Sequence, residues 1–228
     1  MKWFVAGLAL FVSVLACAQA TPELGFTTRL NAGLITEYAR KFGALVSERF
    51  SRWSSFAREQ KSATFMRNLD AARGREADVL QSINDAINRQ MKWVDDKAHW
   101  GVDDYWATPA ESNGSGAGDC EDFSIAKYYL LKELGVPLER LRITYVRILK
   151  QGGQAHVVLA YYSRPDADPL ILDNVDPRVR PASQRSDLEP VYAFNDDEVQ
   201  VQGKSRGKPS QIRAWLAVQE RLVAETRF

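Results

Sequence analysis

The hydrophobic period of this chain switches at Gly135-Val136-Pro137, and that switch limits the folds open to it. Before it, apolar residues recur at helical spacing. Glu76 to Val94 carries Val79, Ile83, Ile87, Met91 and Val94 three or four residues apart, the stripe of a helix that buries one face. Glu121 to Leu134 reads as another helix, with Phe123, Ile125, Ala126, Tyr129, Leu130 and Leu134 on its apolar side and Gly135 with Pro137 as its stop. After the switch, LRITYVRIL (141–149), AHVVLAYY (155–162) and PLILDNV (169–175) are rich in β-branched and aromatic residues and read as strands. Gln151-Gly152-Gly153 predicts a hairpin between the first two, and Val191 to Asn195 adds a short strand. Ser210 is placed to cap a last helix carrying Ile212, Trp215, Leu216, Gln219, Leu222 and Val223. Helices, then an antiparallel sheet, then a helix make an α+β fold. Residues 28–60 look helical and basic, 61–75 read as a break, and Asp95 to Gly118 reads as irregular, ending in the loop ESNGSGAG.

The first twenty residues, MKWFVAGLALFVSVLACAQA, read as an export signal: Lys2, an apolar run, and Ala18-Gln19-Ala20 as a small-x-small cleavage site. The run is short of the ~20 apolar residues an ordinary transmembrane helix needs. A lipoprotein reading, with Cys17 lipidated, ranks second because Leu15 is large for its place. Lys2 is the signal's one charged residue, so cleavage leaves 29 basic and 29 acidic residues. That balance gives no footprint for nucleic acid or for an anionic membrane. The arginines between residues 40 and 75 read as a solvated helix face or a surface for an acidic partner.

Without the leader, Cys120 is the one cysteine. A lone thiol in an oxidising compartment is inert and buried, intermolecular, or in use. Cys120 lies at the start of a predicted helix, where unpaired N–H groups and the macrodipole favour a thiolate. His156 lies in a strand and Asp173 at the end of the next, so side-by-side pairing brings the carboxylate to the imidazole. The other histidine, His99, precedes the cysteine and reads as a surface residue. Asp119, Glu121 and Asp122 surround the thiol. Alone they raise its pKa, and a bound cation would reverse that effect.

GDCEDFSIAKYYLLKELGVP, QAHVVLAYY and LILDNVDPRV together resemble the bacterial transglutaminase-like cysteine proteinases, the LapG-type periplasmic proteases that trim large surface adhesins. The resemblance spans roughly residues 75–200. It implies a papain/transglutaminase-like fold: an N-terminal helical lobe packed on an antiparallel β-sheet, with the nucleophile at a helix N-terminus. The domain would follow the signal and occupy residues 21–228, with a helical lobe at about 25–135, a sheet lobe at about 140–200 and a C-terminal helix at about 210–226. The family's triad maps onto Cys120, His156 and Asp173, implying peptide hydrolysis through an acyl-enzyme. The Cys120 N–H would serve the oxyanion hole, with Trp106 a candidate second donor on position alone. The family is calcium-dependent, which makes Asp119, Glu121 and Asp122 candidate ligands for Ca²⁺, a hard ion suited to carboxylate oxygens. It further implies cleavage near the N-terminus of an adhesin, release that promotes biofilm dispersal, and an inner-membrane receptor that sequesters the protease. A transglutaminase- or amidase-type acyl transferase and an inactive transglutaminase-like binding module are the alternatives.

Overall fold

The structure is a computed structural model and describes residues 32–60 and 62–226. The leader assigned to residues 1–20, with Cys17, lies outside the described residues. The chain opens with α1 (Ala32–Phe42), α2 (Val46–Gln60), α3 (Ser62–Ala71) and α4 (Glu76–Gln90). Then come β1 (Lys92–Trp93), the short α5 (Asp96–His99), α6 (Pro109–Ser115), β2 (Ala117–Gly118) and α7 (Cys120–Glu133). The sheet strands are β3 (Leu141–Ile148), β4 (Gln154–Tyr161), β5 (Leu170–Leu172), β6 (Arg180–Pro181), β7 (Leu188–Phe194), β8 (Val199–Val201) and β9 (Lys204–Gly207), followed by α8 (Arg213–Thr226). No helix among the described residues is long and apolar enough to cross a membrane.

The strands order as β6-β5-β4-β3-β7-β8-β9, all pairs antiparallel. The fold is therefore α+β, as the period switch requires. Along β4, Val157, Leu159 and Tyr161 enter the main core, while Val158 and Ala160 pack with Val146 and Ile171 in a smaller cluster. That alternation is the two-residue period of a strand covered on both faces. α7 packs against the sheet and against α4. Ile125, Tyr128, Leu130 and Leu131 on α7 are fully buried. Each such apolar side chain contributes about 1.5–3 kcal/mol relative to exposure, so the helix carrying the thiol is firmly anchored in the core.

Several segments differ from the sequence reading. The helix read over Glu76 to Val94 ends at Gln90, because Met91 is extended and Lys92–Trp93 pair as β1. The helical stretch 28–60 is divided at Gly43, whose φ of +92° ends α1. The supposed break at 61–75 contains α3, held by Phe65 and Leu69, both buried. The loop ESNGSGAG is mostly the buried helix α6. Thr108 caps it, accepting from the Glu111 N–H at 3.1 Å while Glu111 Oε2 accepts from the Thr108 N–H at 2.9 Å. This capping box with Pro109 at the first helical position outweighs the glycine and serine content. Ser210 is not the cap of α8; it lies in a separate 3-10 turn, Pro209–Gln211.

Candidate active site

β1 and β2 pair in parallel, Lys92 with Ala117 and Trp93 with Gly118. β2 then delivers the chain to Asp119 and into α7, whose first residue is Cys120. The first turn is pinned from outside: Asp122 Oδ1 accepts from the Ala107 N–H at 2.7 Å, and Oδ2 accepts from the Asp119 N–H at 3.3 Å. Ser124 Oγ donates to the carbonyl of Val157 at 3.1 Å, tying the second turn to β4 one residue from His156.

His156 and Asp173 are 3 % and 1 % exposed. His156 Nε2 lies 2.8 Å from Asp173 Oδ1, which also accepts from the Val175 N–H at 2.9 Å. β4 and β5 set this up by pairing Leu159 with Leu172, which places the end of β5 beside His156. The other oxygen, Asp173 Oδ2, accepts from Arg185 Nη2 at 2.9 Å, and Arg185 is gripped in turn by Asp187. Burial pushes the Asp173 carboxyl up, but the His156 hydrogen bond and charge, the Val175 N–H and Arg185 together hold it below the usual carboxylate range. Asp173 is thus a fixed anion. With Nε2 engaged, Nδ1 is the ring nitrogen left to serve a thiol.

The thiol itself donates to Glu121 Oε2 at 3.1 Å, and no hydrogen bond joins it to the imidazole. Burial, the Glu121 charge and hydrogen bond, and Asp119 all push the thiol pKa up. The carboxylates are crowded as well. Burial, with Glu121 alongside, pushes Asp119 up to about 8, and burial takes Asp96 up to about 6. Oxygens of Asp96, Asp119 and Asp122 lie within 4.8 Å of one another, and so do those of Asp96, Asp104 and Glu121. Asp96 Oδ1 and Asp119 Oδ1 are buried without a hydrogen-bond partner. Buried anionic oxygens lacking donors are the surroundings a hard divalent cation satisfies, so the donor set fits Ca²⁺.

A family model described as bacterial transglutaminase-like cysteine proteinase matches residues 50–195. The chain belongs to this family. Among solved structures, Legionella pneumophila LapG aligns at 33% identity with a TM-score of 0.66, covering 82% of this chain and 95% of that one. Its calcium-bound form gives 33% identity and a TM-score of 0.65 over 82% and 97% of the two chains. Its EGTA-treated form gives 33% and 0.67 over 82% and 95%. No curated protein sequence matches.

The chain is a cysteine proteinase of the transglutaminase-like kind. Asp96, Asp104 and Arg185 of the proteinase escaped the sequence reading. Asp96 and Asp104 join the acidic group only through tertiary approach, and Arg185 reaches Asp173 across a turn. Trp106 immediately precedes Ala107, the residue tied to Asp122; its ring stacks on Phe194 at 5.8 Å and its carbonyl accepts from Arg221. His99 sits on α5 with its ring 4.4 Å from that of Trp100, half-buried rather than at the surface.

Proposed function

We propose that this proteinase is a calcium-dependent periplasmic endopeptidase that cleaves the N-terminal region of a large cell-surface adhesin, releasing the adhesin and promoting biofilm dispersal. The observation that carries the catalytic part is the 2.8 Å contact between His156 Nε2 and a buried, doubly clamped Asp173, next to a helix that begins at Cys120. In this reading Asp173 orients the ring and stabilises the imidazolium, and Cys120 is the nucleophile. The thiol proton passes to His156, and the sulfur bonds to the scissile carbonyl carbon. The imidazolium then protonates the leaving amine as the C–N bond breaks. The neutral ring next takes a proton from water, whose oxygen displaces the sulfur and frees the carboxylic acid. The Cys120 N–H faces the developing oxyanion, with Trp106 as the proposed second donor.

For the first transfer the thiol turns from Glu121 toward the ring, a side-chain rotation of the ps–ns class. Asp96, Asp104, Asp119, Glu121 and Asp122 would hold calcium. The ion would supply the positive charge these groups lack and would occupy the Glu121 oxygen that otherwise accepts the thiol proton. The calcium-bound state of Legionella pneumophila LapG supports this assignment. Export to the periplasm and sequestration by an inner-membrane receptor complete the proposal, on the strength of the leader and the family. The test is incubation of the purified protein with adhesin N-terminal fragments, in calcium and in EGTA. Cleavage in calcium alone is expected; fragments intact in both, or cut equally in both, overturn the proposal.

A further inference from the structure

Four cations converge on a pocket that catalysis leaves unused. A cavity of about 390 Å³ is lined by Arg49, Arg52, Arg89, Lys92, Asn113 and Gly116, and no acidic side chain lines it. Arg49 is held in place: Nη1 donates to the Gly114 carbonyl at 2.7 Å, and a Cβ on Gly116 would stand 2.6 Å from its Nε. Gly116, at φ +71°, thus lets the guanidinium lie against the backbone. Arg52 and Arg89 have only loose partners on their own helices, Glu48 and Asp85, each at 3.7 Å. Asn113, 3 % exposed, keeps its amide nitrogen without a hydrogen-bond partner. Concentrated positive charge, arginine forks and an unpaired amide donor are the elements of a carboxylate site. The pocket also adjoins the catalytic path, because β2 and Asp119 are all that separates Gly116, in its lining, from Cys120. Those four steps span at most about 13 Å of extended chain.

We propose that this pocket binds the carboxylates of an acidic stretch in the polypeptide substrate, about four residues from the scissile bond. Its identification with substrate rests on the endopeptidase function proposed above; the anion site does not. The probe is fluorescein-labelled hexaglutamate, titrated by anisotropy against the calcium-loaded full chain. Hexaglutamate is expected to bind, more weakly as salt rises, and about tenfold more weakly to R89Q/K92Q. Both replaced side chains are exposed, so the fold does not depend on them. Hexaglutamate should also raise KM but not kcat for a cleaved adhesin fragment, and this effect should vanish in R89Q/K92Q. Equal affinity for wild type and variant, equal binding of hexaglutamine, or displacement by equimolar inorganic phosphate overturns the site. An unchanged KM with hexaglutamate bound overturns its assignment to substrate. Hexaglutamate binding as expected with no fragment cleaved upholds the anion site and removes the endopeptidase function instead.

Discussion

Gly118→Ala is the most informative single change, because general experience and this structure give it opposite signs. Gly118 is not among the glycines of positive φ, so the backbone accepts alanine. At such a position the substitution ordinarily stabilises by about 0.4–1 kcal/mol through the unfolded chain. Here a Cβ would stand 2.4 Å from Asp122 Oδ2, 2.6 Å from Asp122 Cβ and 2.9 Å from Asp122 Cγ. Carbon atoms prefer about 3.5–4.0 Å, so the gap between the two Cβ atoms must open by about 1 Å. No rotamer change moves the Cβ of Asp122. Its carboxylate is also held by the Ala107 N–H at 2.7 Å, so the first turn of α7 has to shift. Overpacking of this kind costs about 1–3 kcal/mol. At about 2–4 °C per kcal/mol for a chain this long, Tm should fall by roughly 2–12 °C. The same displacement moves Cys120 and should cost about 10²-fold in kcat. Scanning calorimetry and cleavage kinetics in saturating calcium measure both. A G118A protein with raised Tm and wild-type kcat would refute the steric reasoning.

Asp173→Asn should keep the fold but lower kcat by about 10²–10⁴-fold, because the ring loses its fixed anion; kcat within a few-fold of wild type would remove Asp173 from the catalytic group. Arg185→Met should cost about 3–5 kcal/mol in urea denaturation, since it leaves one member of a buried ion pair unpartnered, with Arg185→Lys intermediate. Burial pushes the Glu225 carboxyl up to about 7, against the Thr108 and Tyr38 hydroxyls that favour the anion. A carboxyl raised in the folded state contributes stability that is full below its ordinary pKa of 4.5 and is lost as pH rises through about 7. The Tm of Glu225→Gln should therefore gain on wild type between pH 5 and pH 8, and a constant difference would contradict the assignment. Asp96→Ala should weaken calcium binding in calorimetry by about tenfold or more, while Asp103→Ala, which removes only an exposed partner of Lys97, should not.

The helix carrying Cys120, the strand carrying His156 and the strand leading to Asp173 were legible because each rests on a local signal: an apolar side with a Gly135 stop, or a β-branched and apolar run. α6 was obscured by composition, although Thr108-Pro109 followed by Glu111 writes a capping box into the sequence. Phe65 and Leu69 show helical spacing inside the stretch read as a break, but surrounding charge masks it. β9 carries no apolar pattern; Lys204-Ser205-Arg206-Gly207 is a strand because its neighbour supplies hydrogen bonds, which no single segment reveals. Asp96 and Asp104 were out of reach for a similar reason. Carboxylates brought together from separate segments have no spacing rule, whereas Asp119, Glu121 and Asp122 advertise themselves by adjacency. Arg185 reaches Asp173 only once the turn after β5 and the short β6 have folded the chain back.

Glu225, in the last turn of α8, accepts from Tyr38 of α1 at 2.7 Å and from Thr108 Oγ1 at 2.6 Å. Thr108 follows Ala107, whose N–H anchors Asp122 at the start of α7. Both extremities of the described chain are thereby in mechanical series with the sulfur-bearing turn. A fusion partner crowding α8, or a proteolytic clip just upstream of Glu225, would be felt at Cys120 without touching it.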